Sequence, residues 1–442
     1  MSDLDRLAQL LAAAKRAGAD QADALLASGA SLSVGRRLGK IEEIERAESN
    51  NIGLRVFVGK RSAIVSSGAV DPAGFDRLAE QAVAMARVVP EDQFADIPEA
   101  PVPEDATVLD MDDAVEPALE ALMARAAAAE EAALAFPGVT NSNGAGASWS
   151  RSHVALVTSR GFAGTYSRSG HGVSVSPIAG AGVAMQRDYE YSSAVHGADL
   201  SDPATIGREV AERVVSRLNP VRPATAKLPV VFHPRVAGSL LGHFTGAING
   251  AGIARGTSFL KDSMGKAIFA PGISIIDDPK RVRGLRSRIF DGEGQRVSRR
   301  ALIENGVLTT WLLDSRSAAQ LGLKTTGHAA RGTSSPPSPS ASNLYIEPGT
   351  MSAEELISDI KIGLYIIELM GMGVNGITGD YSRGAAGFMI RDGQIAEPVA
   401  EITVAGNLRE MFMHLTPAND LEFRRGTDSP TLRVEGMTMA GG

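Results

Sequence analysis

The 442-residue sequence contains no cysteine. That excludes disulfides, thiol nucleophiles, iron–sulfur clusters and every zinc site needing a thiolate, and it fits a reducing compartment. Histidine is scarce: His153, His171, His196, His233, His243, His328 and His414. No two lie three or four residues apart, so no helix turn presents a metal-binding pair. Apolar runs are broken by Asp, Arg, His or Asn well short of the ~20 residues of a membrane span. The start, Ser2-Asp3-Leu4-Asp5-Arg6, lacks the basic-then-apolar order of a secretory signal. Positive charge is not in excess either: 44 Lys and Arg against 51 Asp and Glu give −7. Proteins that bind nucleic acid by neutralising phosphates carry a basic surface, so direct nucleic-acid contact is not expected. The expectation is a cytoplasmic chain with no membrane contact.

What the sequence does have is a globular balance, 44% hydrophobic and 21% charged, and 48 glycines, which imply many turns. Its length suits two or three domains. Leu4, Leu7, Ala8 and Leu11 share one face of a predicted helix over 3–17. Short predicted strands follow at 24–27, 31–34, 41–46, 53–58 and 61–66. Gly35, Gly39, Ser49-Asn50-Asn51 and Gly59-Lys60 serve as turn signals between them, the last closing a hairpin. Asp71-Pro72 opens a helix to about residue 87. Residues 90–105, with four prolines and six acids, read as a linker. A helix is predicted from about 112 to 136, ended by Pro137-Gly138. The stretch 139–197 alternates polar and small residues with period two, the mark of an antiparallel sheet with one wet face. A helix from Asp202-Pro203 to about 218 precedes a strand at 228–232 and an apolar helix at about 235–248. Short helices near 315–321 and 352–360 follow. Residues 332–340, Gly-Thr-Ser-Ser-Pro-Pro-Ser-Pro-Ser, should lack regular structure. Several hairpins without regular strand–helix alternation argue for α+β and against a doubly wound sheet. The divisions expected are an N-terminal α/β region with antiparallel strands (1–100), a middle helix plus antiparallel β region (110–220) and a large β-rich C-terminal domain (228–442).

Residue chemistry alone yields no catalytic constellation. There is no Gly-x-Ser-x-Gly elbow, no phosphate-binding Gly-x-x-x-x-Gly-Lys-[Ser/Thr] and no His-Glu-x-x-His. One Gly-x-Gly-x-x-Gly occurs, at 371–376, but Ile377-Thr378-Gly379-Asp380 does not start a helix, so no helix N-terminus faces a pyrophosphate. It reads as a strand-connecting loop. Adjacent acids such as Asp112-Asp113 and Glu130-Glu131 do not face each other on a helix or strand.

Longer motifs are more informative. They are His233-Pro-Arg-Val-Ala-Gly-Ser-Leu-Leu-Gly-His-Phe-Thr-Gly-Ala-Ile-Asn249 with Arg255-Gly-Thr-Ser-Phe259, Asn343-Leu-Tyr-Ile-Glu-Pro-Gly349, and Glu368-Leu-Met-Gly-Met-Gly-Val-Asn-Gly-Ile-Thr-Gly-Asp-Tyr-Ser-Arg-Gly-Ala-Ala-Gly-Phe388. Gly35-Arg-Arg-Leu-Gly-Lys-Ile-Glu-Glu near the start and Ser429-Pro-Thr-Leu-Arg-Val434 extend the pattern over nearly the whole chain. In this order they resemble the TldD/PmbA family, and within it the PmbA (TldE) branch. The resemblance implies a partly barrel-like C-terminal domain. It also implies one subunit of a cytoplasmic zinc-dependent peptidase that trims or degrades unstructured peptides, in a family that also carries the older label of DNA gyrase modulator. In the TldD branch His-Glu-x-x-x-His and a later cysteine hold zinc, and the glutamate activates the water.

By the resemblance, Gly242 and Ala247 stand where the TldD branch has its two histidines, and His243 stands where it has the glutamate. Shifted back by one, the positions are Leu241, Gly242 and Gly246. Neither set supplies a zinc site. The chain is therefore expected to carry no catalytic residue and no metal, and to act as the non-catalytic partner of a zinc-bearing TldD-type subunit in a heterodimer, a homodimer being the other assembly. Its peptide cleft is expected to be lined by His243, Asn249, Arg255, Asn343, Asp380 and Arg383. Two other readings stay open: a metallopeptidase with an unrecognised metal site, and a peptidase-independent binding protein of the gyrase-modulator type.

Overall fold

The computed structural model describes residues 2–99, 101 and 105–441. The first half is α1 (Asp3–Ala17), β1 (Gln21–Arg37), β2 (Lys40–Val58), β3 (Arg61–Ser67), α2 (Phe75–Val88), α3 (Leu119–Leu134), β4 (Val139–Thr158), β5 (Ala163–Ala179), β6 (Gln186–Arg187), β7 (Glu190–Ala194) and α4 (Pro203–Ser216). Its strands form one antiparallel sheet, β3-β2-β1-β4-β5-β6 with β7 also on β5, curved as half a barrel. Leu7, Leu10, Ala13 and Ala14 of α1 and Phe75, Ala79 and Val83 of α2 pack on Ile52, Leu54 and Val56 of the sheet. The buried stripe of α1 thus runs through Leu7, Leu10 and Ala14, while Ala8 is exposed. Farther along the sheet, Ala129 and Ala133 of α3 and Ile206 and Val210 of α4 cover Val173 and Val175.

Two local expectations give way to tertiary structure. The separate short strands before residue 58 are two long ones, β1 and β2, paired from Gln21↔Phe57 to Arg37↔Lys40. β1 also pairs with β4 on its other side, and this two-sided ladder overrides the turn-prone Ser49-Asn50-Asn51. Gly35 marks a bulge inside β1 rather than a turn. The helix expected from residue 112 begins only at Leu119. Pro117 disfavours helical backbone in the residue before it. The acids ahead of it are also engaged elsewhere: Asp112 receives both nitrogens of the Arg151 fork at 2.8 and 2.6 Å, and Asp113 accepts the Gly197 amide.

The second half is β8 (Ala226–Phe232), α5 (Pro234–Ala247), α6 (Gly250–Ala254), β9 (Ile275–Asp277), β10 (Arg300–Glu304), β11 (Val307–Leu308), α7 (Ser315–Gln320), β12 (Ala329–Ala330), β13 (Ser338–Pro339), β14 (Leu344–Ile346), α8 (Ala353–Ile357), β15 (Ile362–Met370), β16 (Asp380–Arg391), β17 (Gln394–Asn407), α9 (Leu408–Met413), β18 (Leu415–Pro417), β19 (Thr427–Asp428) and β20 (Leu432–Ala440). The order β17-β16-β15-β8-β20 closes on itself through β17–β20 pairing, giving a five-stranded barrel with β18 as an appendage. The barrel-like expectation thus holds, and the fold is α+β. β15 runs parallel to β8. The crossover between them carries α5, α6 and four strands of a second small sheet, β11-β10-β9-β14-β19, whose fifth strand, β19, comes from after the barrel strands β15–β17. Val230, Phe232, Leu364, Ile366, Val404 and Val434 share one core with Leu240, Leu241 and Phe244 of α5, where Phe269 stacks on Phe412 at 4.4 Å.

Buried ions stitch the halves together. Asp188 binds Arg213, Arg217 and Arg235, and Asp23 binds Arg55 and Arg331. Nearby, Glu293 accepts the Ser315 amide and hydroxyl at 2.8 and 2.6 Å. Burial, reinforced by Asp291, pushes the Glu293 carboxyl up to about 7, against the pull of Arg55. A carboxyl raised in the folded state holds its proton there while the unfolded chain has lost it, so stability declines as pH rises from about 4.5 to about 7. Glu293→Gln keeps an acceptor for Ser315 but does not ionise. Its stability relative to the parent should rise by about 2–3 kcal/mol between pH 5 and pH 8, read from urea midpoints. A pH-independent difference would show that Glu293 is ionised throughout this range.

Candidate functional site

Helix α5 starts at a half-buried cap. The His233 amide is tied to the Ile366 carbonyl of the barrel, its Nδ1 accepts the Arg235 amide at 3.1 Å, and Pro234 occupies the first turn. Burial, then Arg213, Arg235 and Arg425, push the His233 imidazole down to about 3, so it is neutral and fixed as an acceptor at Nδ1. From this anchor α5 carries Gly242, His243, Gly246 and Ala247 to the edge of a cavity of about 510 Å³. A Cβ added at Gly242 or Gly246 would meet nothing within 4 Å, so the floor of the cavity is bare backbone.

The opposite wall is the segment after α5. Asn249 caps α6 through its side-chain oxygen and donates Nδ2 to the Pro339 carbonyl at 2.9 Å. Arg255 ends α6 and leads into Gly256 at φ +72°. Ser258 Oγ donates to the Ala247 carbonyl at 2.5 Å, holding this turn against the end of α5. The Phe259 amide reaches the Gly376 carbonyl, so the third wall is the 371–379 loop between β15 and β16. That loop is the Gly-x-Gly-x-x-Gly segment, and it does connect two strands. It is internally braced: Ser382 N donates to the Gly373 carbonyl, and Asn407 Nδ2 donates to the Thr378 carbonyl and to Asp380 Oδ1. Met372, 84% exposed, and Val374 form its apolar lip.

Of the residues expected in a cleft, His243, Asn249 and Arg255 line this one cavity, together with the motif positions Gly242 and Ala247. Arg383 lies behind it, against His243 and Tyr381. Asp380 is beside the loop, but its carboxylate is taken by the Thr378 hydroxyl at 2.6 Å and by Asn407, which hold it below its ordinary value. Asn343 is elsewhere. It is buried, donating to the Asp278 carbonyl and Ser287 Oγ and accepting the Arg286 amide, beside a separate cavity with Arg281 and Arg283. Thr257, Phe259, Met372 and Leu408 also line the α5 cavity. The first two stand in the motif after Arg255, and Met372 in the glycine-rich loop. Their signal was membership in those motifs, since none has a titrating side chain.

Three buried polar atoms converge here without hydrogen-bond partners: His243 Nε2, Tyr381 Oη and Arg383 Nε. The Tyr381 ring meets His243 edge-on at 5.8 Å. Burial, helped by Arg383, lowers the His243 pKa, and burial pushes Tyr381 up to about 12 despite Arg383. At neutral pH both are uncharged, and each can donate or accept. A zinc site does not fit these residues: Gly242 and Ala247 have no donor atoms, leaving His243 alone, and among the described residues no group of three or more His, Asp or Glu is placed to hold an ion.

Three successive segments match PmbA/TldA metallopeptidase domains: residues 22–86 the first domain, 112–218 the central domain and 225–441 the C-terminal domain. The chain is 36% identical to Metalloprotease PmbA of Escherichia coli O157:H7 over 425 residues, covering 96% of this chain and 92% of that one. It is 34% identical to the Metalloprotease PmbA homolog of Haemophilus influenzae, over 97% and 94% of the two chains. Its fold superposes on the crystal structure of TldE from Thermococcus kodakarensis with a TM-score of 0.89, at 19% identity, over 99% of this chain and all of that one. With the motifs in order along the whole length and the three domains in sequence, this chain belongs to the PmbA/TldD metallopeptidase family.

Proposed function

We propose that this chain is the subunit without a zinc site in a two-chain peptidase of the family, and that its α5 cavity holds part of an unstructured peptide while a TldD-type partner supplies zinc and cleavage. One observation carries the reading: the three motif positions on α5 offer a single donor, His243, yet the cavity around them is open and floored by bare backbone. Loss of ligands with retention of a cleft fits a binding role. The long, solvent-facing run of β2, residues 40–51, pairs only with β1 and leaves a free edge that an extended segment can join. Among the described residues no helix is long and apolar enough to cross a membrane. The reading places the complex in the cytoplasm, which suits a chain without cysteine.

The test is reconstitution. The purified chain alone, a TldD-type chain from the same genome alone, and the mixture are each given an unfolded polypeptide, with and without a chelator. Cleavage only in the mixture, abolished by the chelator, is expected. Chelator-sensitive cleavage by this chain alone would show a metal site of its own. Complex formation with no cleavage in any mixture would leave a binding protein.

A further inference from the structure

The α5 cavity has a marked charge asymmetry. No Asp or Glu lines it, while Arg255 stands on its rim, exposed and in no ion pair among the described residues. Arg383, behind His243, likewise pairs with no carboxylate and leaves Nε unsatisfied in a buried position. Buried polar atoms are nearly always hydrogen-bonded, yet three without a partner, His243 Nε2, Tyr381 Oη and Arg383 Nε, gather beside the α5 side of the cavity. Of these, Arg383 Nε can only donate, while the Tyr381 hydroxyl and the neutral His243 ring can each donate or accept. Phe259, Met372, Val374 and Leu408 add apolar lining. A cavity with an unpaired cation on its rim, no carboxylate among its lining residues and apolar side chains beside them suits an anion joined to an apolar group.

We infer that this cavity binds the free C-terminal carboxylate of a peptide, with Arg255 as its charged partner, His243 lining the α5 side, and the terminal side chain against Phe259 and Met372. Backbone at Gly242 and Gly246 lets the chain approach closely, since no side chain stands over the floor. The inference rests on the peptide-holding role proposed above and adds to it a polarity: the peptide enters with its C-terminus toward α5.

The test uses the purified full chain alone, so it is independent of any partner or cleavage. A fluorescein-labelled pentapeptide ending in leucine is titrated by anisotropy as the free acid and as the C-terminal amide. The free acid should bind at least about tenfold more tightly. Arg255→Ala should remove that preference and leave the amide unchanged, while Arg255→Lys should keep part of it. Arg255 is exposed and unpaired, so a melt equal to the parent's confirms that the variants are folded. Equal binding of acid and amide, no binding of either, or full preference retained by Arg255→Ala would each overturn the inference. Tight binding of an amide ending in aspartate would also overturn it, by assigning the carboxylate to a side chain. So would displacement of the peptide by equimolar inorganic phosphate, which would mark a site for any small anion. Cleavage in the reconstituted mixture without acid-over-amide preference removes this inference and keeps the subunit reading; preference without cleavage does the reverse.

Discussion

Asp188→Ala is expected to lower the unfolding free energy by about 3–5 kcal/mol. The carboxylate is fully buried and accepts Arg213 Nε and Arg217 Nη1 at 3.1 Å and Arg235 Nη1 at 2.7 Å. Burial alone would raise its pKa, but Arg213, Arg235 and Arg217 outweigh burial and hold it below the ordinary carboxylate range. Removing the anion leaves three guanidiniums facing one another in a site that excludes water. Arg213 keeps Glu190 at 2.9 Å and Arg217 keeps Glu368 at 2.5 Å, but Arg235 has no second carboxylate to turn to among its ion pairs. Arg235 is in the first turn of α5, so the loss reaches the candidate site. Urea denaturation followed by circular dichroism reads the effect, and Asp188→Asn, which keeps an acceptor, should cost less. A midpoint within error of the parent would show that the three arginines are neutralised by other groups. The sign in pH is fixed: a carboxyl depressed by folding contributes stability above its unfolded pKa, and this is lost as acid reaches its lower folded value.

The second large effect is expected at Gly53 of β2. A Cβ there would lie 2.0 Å from the Thr333 carbonyl oxygen and 2.8 Å from Thr333 Cα, both backbone atoms that cannot rotate away. Gly53→Ala therefore forces the 332–340 segment off the N-terminal sheet. That segment begins next to Arg331, whose guanidinium is buried against Asp23 together with Arg55. Burial would raise the Asp23 pKa, yet Arg331 and Arg55 hold it down, so separating them is costly. Overpacking and a weakened buried pair together should remove about 3 kcal/mol or more. Limited proteolysis should show new cuts within 332–340 before global unfolding. A variant that melts with the parent and resists protease would mean that the segment adapts without leaving the sheet.

Sequence patterning reached the elements whose causes are local. The hairpin at Gly59-Lys60, the entry to α4 at Asp202-Pro203, the entry to α5 at His233-Pro234 and the loop at 371–376 all depend on turn and cap chemistry written in adjacent residues. The full lengths of β1 and β2 did not show, because Ser49-Asn50-Asn51 is extended only by virtue of its partner strand, and the pairing with β4 joins residues more than a hundred apart. Barrel closure was reached through family resemblance, since no periodicity reveals that β20 pairs with both β8 and β17. At the site, motif membership brought out α5 and Arg255. It could not separate Asn343, whose amide is spent inside a buried turn, from residues that face the cavity. Tyr381 went unnoticed because its part is set by burial and by missing partners, and neither is written in the chain order.

Closure of the barrel also dictates an order of assembly. Leu432 of β20 pairs with Phe232 of β8, two hundred residues earlier in the chain. Strands β1, β2, β4 and β5 are all complete by residue 179, so the N-terminal sheet can form on a growing chain as soon as that length has left the ribosome. β8 has no such freedom. One of its edges stays open until residues 432–440 are made, and α5 follows β8 directly. The cavity on α5 draws its lining from residues 242 to 408, so it is completed late, and the barrel that anchors it closes later still through a contact of very long sequence separation. A nascent chain that has not yet reached Leu408 lacks part of the wall proposed to hold unfolded polypeptides.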